Sequence, residues 1–195
     1  KTILESYNNP LMAYHRNPET VPQDENFNNC FRYAETPWVT ILHDDDMLHC
    51  QYVETAQRIL DRFGDTIGGF AAGSQVGEEE WKDIYTLKKD TPKQLKIINL
   101  PYYFFNQLSP FPGVMVKKDL ALELGGFTNK LFPIADFDFW YRYNRREKML
   151  MVDDTLSYYR ISSTQSTVQA FSDMINKIYE YRKELISESK YNNFL

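Results

Sequence analysis

The alternation of apolar and polar positions cuts the chain into short strands and helices that follow one another. Residues 1–9 read as the end of a helix, and Pro10 to His15 as a short strand. Asn26 to Ala34 places Phe27, Cys30, Phe31 and Ala34 at helical spacing, and Thr36-Pro37 stops it. Trp38 to Leu42 is a β-branched and aromatic run of strand length. Tyr52 to Phe63 predicts an amphipathic helix with Val53, Ala56, Leu60 and Phe63 on one face, closed by Gly64. A strand follows at Ile67 to Ala72. The order strand, helix, strand predicts a parallel α/β unit.

The second half is less regular at first. Residues 74–110 alternate acidic and basic patches and then carry Tyr102-Tyr103-Phe104-Phe105 between Pro101 and Pro110. Such an insert either covers a substrate or plugs the core with its aromatics. Gly113 to Lys117 predicts a strand, Asp119 to Leu124 a short helix ended by Gly125-Gly126, and Asp136 to about Lys148 a longer helix with acids in its first turn. Met149 to Val152 and Leu156 to Arg160 read as two strands around an Asp153-Asp154 turn. Ser166-Thr167-Val168-Gln169 forms a capping box before a last helix whose stripe is Phe171, Ile175, Ile178 and Leu185. The expected division is a domain over 1–165 and an amphipathic helix and tail over 166–195. That helix has three placements open to it: packing on the domain, dimerisation, or a peripheral contact with a membrane surface.

Composition narrows the functional classes. A chain of 195 residues with 43% hydrophobic content supports one domain with a sizeable core. The formal net charge of -5 argues against a nucleic-acid surface. No apolar run approaches the roughly 20 residues that span a bilayer. No signal-peptide pattern stands at the start, and Cys30 and Cys50 have no paired spacing, so a reducing cytoplasm is expected. The 14 Tyr and 13 Phe suit sugar rings and bases, and fill cores equally well.

Chemistry concentrates at Asp44-Asp45-Asp46, directly after the Trp38 to Leu42 strand. Three adjacent carboxylates repel one another, and no lysine or arginine lies within four residues on either side. A cation from elsewhere is expected, and Mg²⁺ is commonly held by one or two carboxylates plus substrate phosphates. Ligands of open α/β sheets bind at the carboxyl ends of strands, where this triplet falls. The same aspartates would serve equally as a solvated turn or a helix cap.

A second acidic cluster, Asp136-x-Asp138-x-Trp140, follows Gly125-Gly126-Phe127. With both clusters in this order, the chain from about Asn26 to Ser166 resembles the inverting family-2 glycosyltransferases of the GT-A fold. The resemblance implies an α/β fold with a mixed, mainly parallel sheet flanked by helices. It places the family's first nucleotide-binding strands before Lys1, so that the chain is truncated at its N-terminus relative to the family. It implies Asp136 as catalytic base, Asp46 as metal ligand for Mg²⁺ or Mn²⁺, and Asp44, Asp45 and Asn28 near the nucleotide sugar. The implied partners are a nucleotide-sugar donor, a UDP-sugar by expectation, and a sugar or lipid-linked sugar acceptor. The implied activity is a hexosyl transfer for surface polysaccharide or glycan synthesis, in the cytoplasm or at the inner face of the membrane. Two positions depart from the family pattern: Ala135 replaces the glutamate before the base, and Ser162 replaces a histidine after Tyr159-Arg160-Ile161 that is often a metal ligand. These losses motivate the alternative of a non-catalytic nucleotide-sugar-binding relative. For Asp138, capping and an ion pair to Arg142 are the simpler expectation. His43 is expected to point toward the helical layer, with no assigned role.

Overall fold

The computed structural model describes residues 6–78, 80–87, 94–106, 111–162 and 170–188. Among them the elements are, in order, α1 (Gln23–Tyr33), β1 (Trp38–Thr40), β2 (Met47–Leu48), α2 (Tyr52–Phe63), β3 (Gly69–Gly77), β4 (Leu95–Ile98), α3 (Tyr102–Phe105), β5 (Val114–Lys117), α4 (Lys118–Glu123), a 3-10 turn (Asn129–Leu131), α5 (Ala135–Asn144), β6 (Met149–Arg160) and α6 (Phe171–Glu188). The expected initial helix and the Ser166–Gln169 capping box lie largely outside the described residues. Pro10 to His15 forms no strand, and its Leu11 is 92% exposed.

A mixed sheet flanked by helices is present, in the order β1-β5-β3-β6-β2 with β4 also on β6. The expectation of mainly parallel pairing needs correction. Among the described residues only β3 and β6 pair parallel; β1–β5, β3–β5, β2–β6 and β4–β6 are antiparallel. The reason lies in β5. β1 and β3 do run in the same direction, as a strand–helix–strand unit should, but β5 inserts between them and pairs antiparallel with both. The two strands expected around Asp153-Asp154 are one strand, β6. Its partner β3 continues past the acidic pair, so Ala72 opposes Val152 and Gly73 opposes Thr155, and the aspartates leave the ladder as a bulge.

Strand alternation feeds two cores. Phe70, Ala72, Leu150 and Val152 face α2, which contributes Tyr52, Ala56 and Ile59. Ala71, Val114, Val116 and Met149 face a larger, aromatic core with Phe31, Phe127, Phe139, Trp140 and Tyr143. The apolar face of α2 is turned from the expected one: Tyr52, Thr55, Ala56 and Ile59 are buried, while Val53 is 73% exposed. Tyr52 wins a buried place because its hydroxyl pairs with that of Thr40 at 2.9 Å. On α6, Ile178 and Leu185 enter the larger core beside Met174 and Tyr181, whereas Phe171 and Ile175 stay exposed. The aromatics of the insert split likewise. Tyr103 and Phe104 are core, with the Tyr103 hydroxyl donating to the Trp140 carbonyl, and Phe105 is exposed.

α4 ends in a Schellman turn: the N–H of Gly126 donates to Ala121 O and that of Gly125 to Leu122 O. Both glycines have positive φ, 77° at Gly125 and 65° at Gly126. A methyl at Gly125 would meet nothing within 4 Å, whereas one at Gly126 would lie 2.0 Å from Asn28 Oδ1. Gly125→Ala is therefore expected to cost about 1–2 kcal/mol, the left-handed penalty alone. Gly126→Ala should cost about 1–3 kcal/mol more by dislodging a buried hydrogen-bonded amide. Urea unfolding midpoints of the two variants check the order; equal midpoints would contradict it.

Candidate functional site

Beyond β1, Ile41 and Leu42 lead into a turn over 43–46, closed by the Asp46 N–H donating to His43 O at 3.3 Å. β2 then runs back along β6, with Met47 opposite Tyr158 and Leu48 opposite Ser157. This brings the turn against the last residue of β6. The Arg160 N–H donates to Asp46 Oδ1 at 3.1 Å, and its guanidinium Nε donates to the Asp45 carbonyl at 2.8 Å. The cation that the aspartate run lacks in its own neighbourhood is supplied, in part, from the far end of the sheet. The three carboxylates differ sharply in exposure. Asp44 is exposed, Asp45 is half-buried, and the side chain of Asp46 is 0% exposed.

His43 does face the helical layer, yet it is also part of the site. Its ring stacks on Phe27 of α1 at 5.0 Å and leans on Phe111 at 4.6 Å. Its Nδ1 lies 3.4 Å from Asp46 Oδ2, and its Nε2 is buried with no hydrogen-bond partner. Val39 and Ile41 are buried on the same strand parity, so the period of two placed His43 on this face. Spacing alone assigns it no role, because it meets Asp46 only once the turn closes.

Asp136 sits in the first turn of α5. Its Oδ1 accepts the Phe137 N–H at 2.8 Å. Burial raises its carboxyl above the ordinary carboxylate value; hydrogen bonds from the Phe137 and Asp136 N–H groups and the charge of nearby His43 act in the opposite direction. Asp138, two residues on, is buried and pairs with Arg142 at 2.7 Å, as its i,i+4 spacing predicts; Tyr181 of α6 donates to its other oxygen at 2.6 Å. Arg142 also holds the carbonyls of Leu124 and Gly126, at 2.9 and 2.7 Å. Asn28 grips the next residue from the other side, donating to Phe127 O at 3.0 Å and accepting its N–H at 2.9 Å. Both ends of the Asn28 amide are thus committed to the wall of the site. Trp140 is core.

The two acidic regions share one cleft of about 940 Å³. Asp44, Asp45 and Asp136 line it with His43, Tyr159 and Ser162; Asp46 and Asn28 stand behind its walls. No described residue of the 74–106 insert lines it, so among those residues the insert's aromatics serve the core and do not cover the cleft. The donor atoms of His43, Asp45 and Asp46 lie within 4.8 Å of one another. A divalent cation fits this set on the evidence of Asp46 Oδ2, which is buried without a hydrogen-bond partner and lies 3.4 Å from His43 Nδ1.

No family model matches the chain. The chain is 25% identical to the uncharacterized protein MT1568 of Mycobacterium tuberculosis (strain CDC 1551 / Oshkosh) over 180 residues, 86% of this chain and 56% of that protein. Among solved structures, S. aureus TarS 1–349 superposes with a TM-score of 0.60 at 12% identity, covering 98% of this chain and 54% of that one. TarS 1–349 in complex with UDP gives 0.56 at 12% identity, covering 87% and 47%. The chain therefore has a GT-A-like glycosyltransferase fold and spans about half the length of these relatives.

Because burial raises Asp136, its ionisation opposes folding. The cost is absent below the unfolded-state value and complete above the folded one. Asn at this position keeps an oxygen for the Phe137 N–H. Asp136→Asn is thus expected to hold or raise Tm at pH 7 in metal-free buffer, with the gain vanishing in acid. A lower Tm at pH 7 would show the carboxylate to be a net stabiliser.

Proposed function

We propose that this domain transfers a sugar from a nucleotide-diphosphate sugar, a UDP-sugar, to a hydroxyl acceptor in a single displacement with inversion. The observation that carries the reading is the shared cleft, which is lined both by the half-buried carboxylate of Asp136 and by an acidic turn whose Asp46 carries an orphaned oxygen. The fold supports it, and UDP is the ligand in the TarS complex that shares this fold. Family likeness adds the biological setting: assembly of a surface polysaccharide or related glycan on the cytoplasmic side.

Asp136 takes the proton of the acceptor hydroxyl as the oxygen attacks the anomeric carbon. A carboxyl raised by burial is a stronger base than one at the ordinary value. The attack proceeds on the face opposite the leaving diphosphate, through an oxocarbenium-like state that needs no protein nucleophile. Asp44 and Asp45 face the donor, while Arg160 fixes the Asp45 backbone. His43, Asp45 and Asp46 would hold the cation, and an imidazole beside two carboxylates suits Mn²⁺ better than Mg²⁺. When bound, such a cation neutralises charge that develops on the departing diphosphate. Asn28 and Arg142 act at one remove, by fixing the loop that leads to the base.

A second reading, a nucleotide-sugar-binding relative without turnover, is favoured by Asp46, whose side chain is wholly enclosed and already bonded to Arg160. Calorimetry with UDP-sugars and Mn²⁺, run beside a UDP-release assay, separates the two: heat without product identifies the binder. On the transferase reading, Asp136→Asn in the full chain is expected to lower kcat by about 10²–10⁴-fold. Donor affinity should stay close to wild type, and transfer at the wild-type rate would remove Asp136 as the base. His43→Ala is expected to weaken Mn²⁺ binding about 10–100-fold, read by electron paramagnetic resonance without substrate. Unchanged affinity would take His43 out of the ligand set.

A further inference from the structure

Four side chains of α1 and the segment before it form a hydrogen-bonded relay with one direction. The Arg32 guanidinium donates to Asn29 Oδ1 at 2.6 Å, Asn29 Nδ2 to Asn17 Oδ1 at 3.0 Å, and Asn17 Nδ2 to Asn26 Oδ1 at 2.9 Å. A guanidinium only donates, so Asn29 must turn its oxygen to Arg32, and each amide spends its oxygen on the bond it receives. One cation thereby sets the orientation of three amides, and each bond polarises the next. The relay ends on Asn26 Nδ2, a donor, and Asn26 is exposed and lines the cleft. The same end of α1 is joined to the wall that carries the base. Asp24 Oδ2 accepts the Asn129 N–H at 2.8 Å, and the Asn129 carbonyl accepts the Phe132 N–H at 3.1 Å. Lys177 of α6 donates to the Phe132 carbonyl. Phe132 is thus fixed by its backbone four residues before Asp136, and it lines the cleft. It is 39% exposed, whereas Phe111 and Phe127 of the same lining are 7% and 3% exposed and belong to the core.

We propose that Asn26 and Phe132 form the subsite for the acceptor's sugar ring. The ring lays a C–H face on Phe132, and one of its hydroxyl oxygens accepts from Asn26 Nδ2. An aromatic face is electron-rich and attracts polarised C–H groups, while an amide N–H reads an oxygen; a sugar ring offers both. Arg32 is a positioning residue, which aims the Asn26 amide through Asn29 and Asn17. This rests on the reading of Asp136 as the base, because Phe132 stands on the segment that leads to it.

The test uses the full chain, Mn²⁺ and a panel of UDP-sugars, with UDP release measured on methyl glycosides of hexoses and glycoside binding followed by saturation-transfer NMR. Asn26→Asp keeps an oxygen for Asn17 Nδ2 and replaces the terminal donor by an acceptor. It is expected to raise the glycoside KM about tenfold and to leave the donor KM within about twofold. Phe132→Ala should act likewise, and Phe132→Tyr, which keeps the aromatic face, should restore most of the loss. Arg32→Ala should raise the glycoside KM about threefold, and Arg32→Lys, which still donates to Asn29, should reverse the rise. An unchanged glycoside KM in Asn26→Asp, Phe132→Ala or Arg32→Ala overturns the inference, as does a rise confined to the donor KM; in these cases the transfer reading stands. A wild type that binds UDP yet neither binds nor uses any glycoside of the panel also overturns it. Absence of UDP release and of UDP binding across the panel overturns the transfer reading, and this inference with it.

Discussion

A row of carboxylates at the end of a strand cannot be placed beside a core unless hydrogen-bond donors meet it, and here they come from the last residue of β6. Arg160 uses its N–H on Asp46 and its guanidinium on the Asp45 carbonyl. A hydrogen bond to a charged group is worth about 1.5–3 kcal/mol net, enough to decide the conformation of a four-residue turn. The contact also fixes register, because β2 pairs with β6 only two and three residues before Arg160. The position of the acidic turn is therefore a consequence of how β6 pairs with β3, and the bulge at Asp153-Asp154 sets where β6 ends relative to the turn.

The opposite wall is built by a parallel device. Arg142 on α5 satisfies two carbonyls of the Leu124–Gly126 turn while its charge neutralises buried Asp138. Asn28 on α1 closes the other side through Phe127. Two side chains thus hold three consecutive elements, α4, the glycine turn and α5, in one orientation, and α6 joins them through Tyr181 on Asp138. Replacing the ion pair by apolar groups would leave the turn's carbonyls without donors, which explains why a buried charge is worth its desolvation at this place.

What could be read in the chain follows from the range of the forces involved. Local periodicity located α2 to the residue, and i,i+4 spacing anticipated the Asp138–Arg142 pair. Motif order placed both acidic regions on one cleft. The failures are non-local. Nothing between Trp38 and Ala72 announces that β5 will insert between β1 and β3. The face of α2 turned because one Tyr52 hydroxyl found Thr40, a contact that hydropathy does not encode. Arg160 and Asp24 act on partners more than a hundred positions away, and their parts in the site emerged only from geometry. His43 is the instructive case: strand parity did point it toward the helices, but its partnership with Asp46 required the turn to close.

The unsatisfied polar atoms among the described residues gather at this cleft independently of any family likeness. Folded chains pair nearly all their buried polar groups, since each orphan costs about 1–3 kcal/mol. Among the described residues, five buried side-chain atoms lack a hydrogen-bond partner, on Asp24, His43, Asp46, Trp140 and Asn144. Three of the five belong to the cleft or to the acidic turn behind it. Asp136, lining the same cleft, holds a carboxyl that burial makes harder to ionise. Concentrated at one cleft between a strand end and a helix start, the unmet hydrogen-bonding capacity is the expected signature of groups whose partners arrive with a ligand.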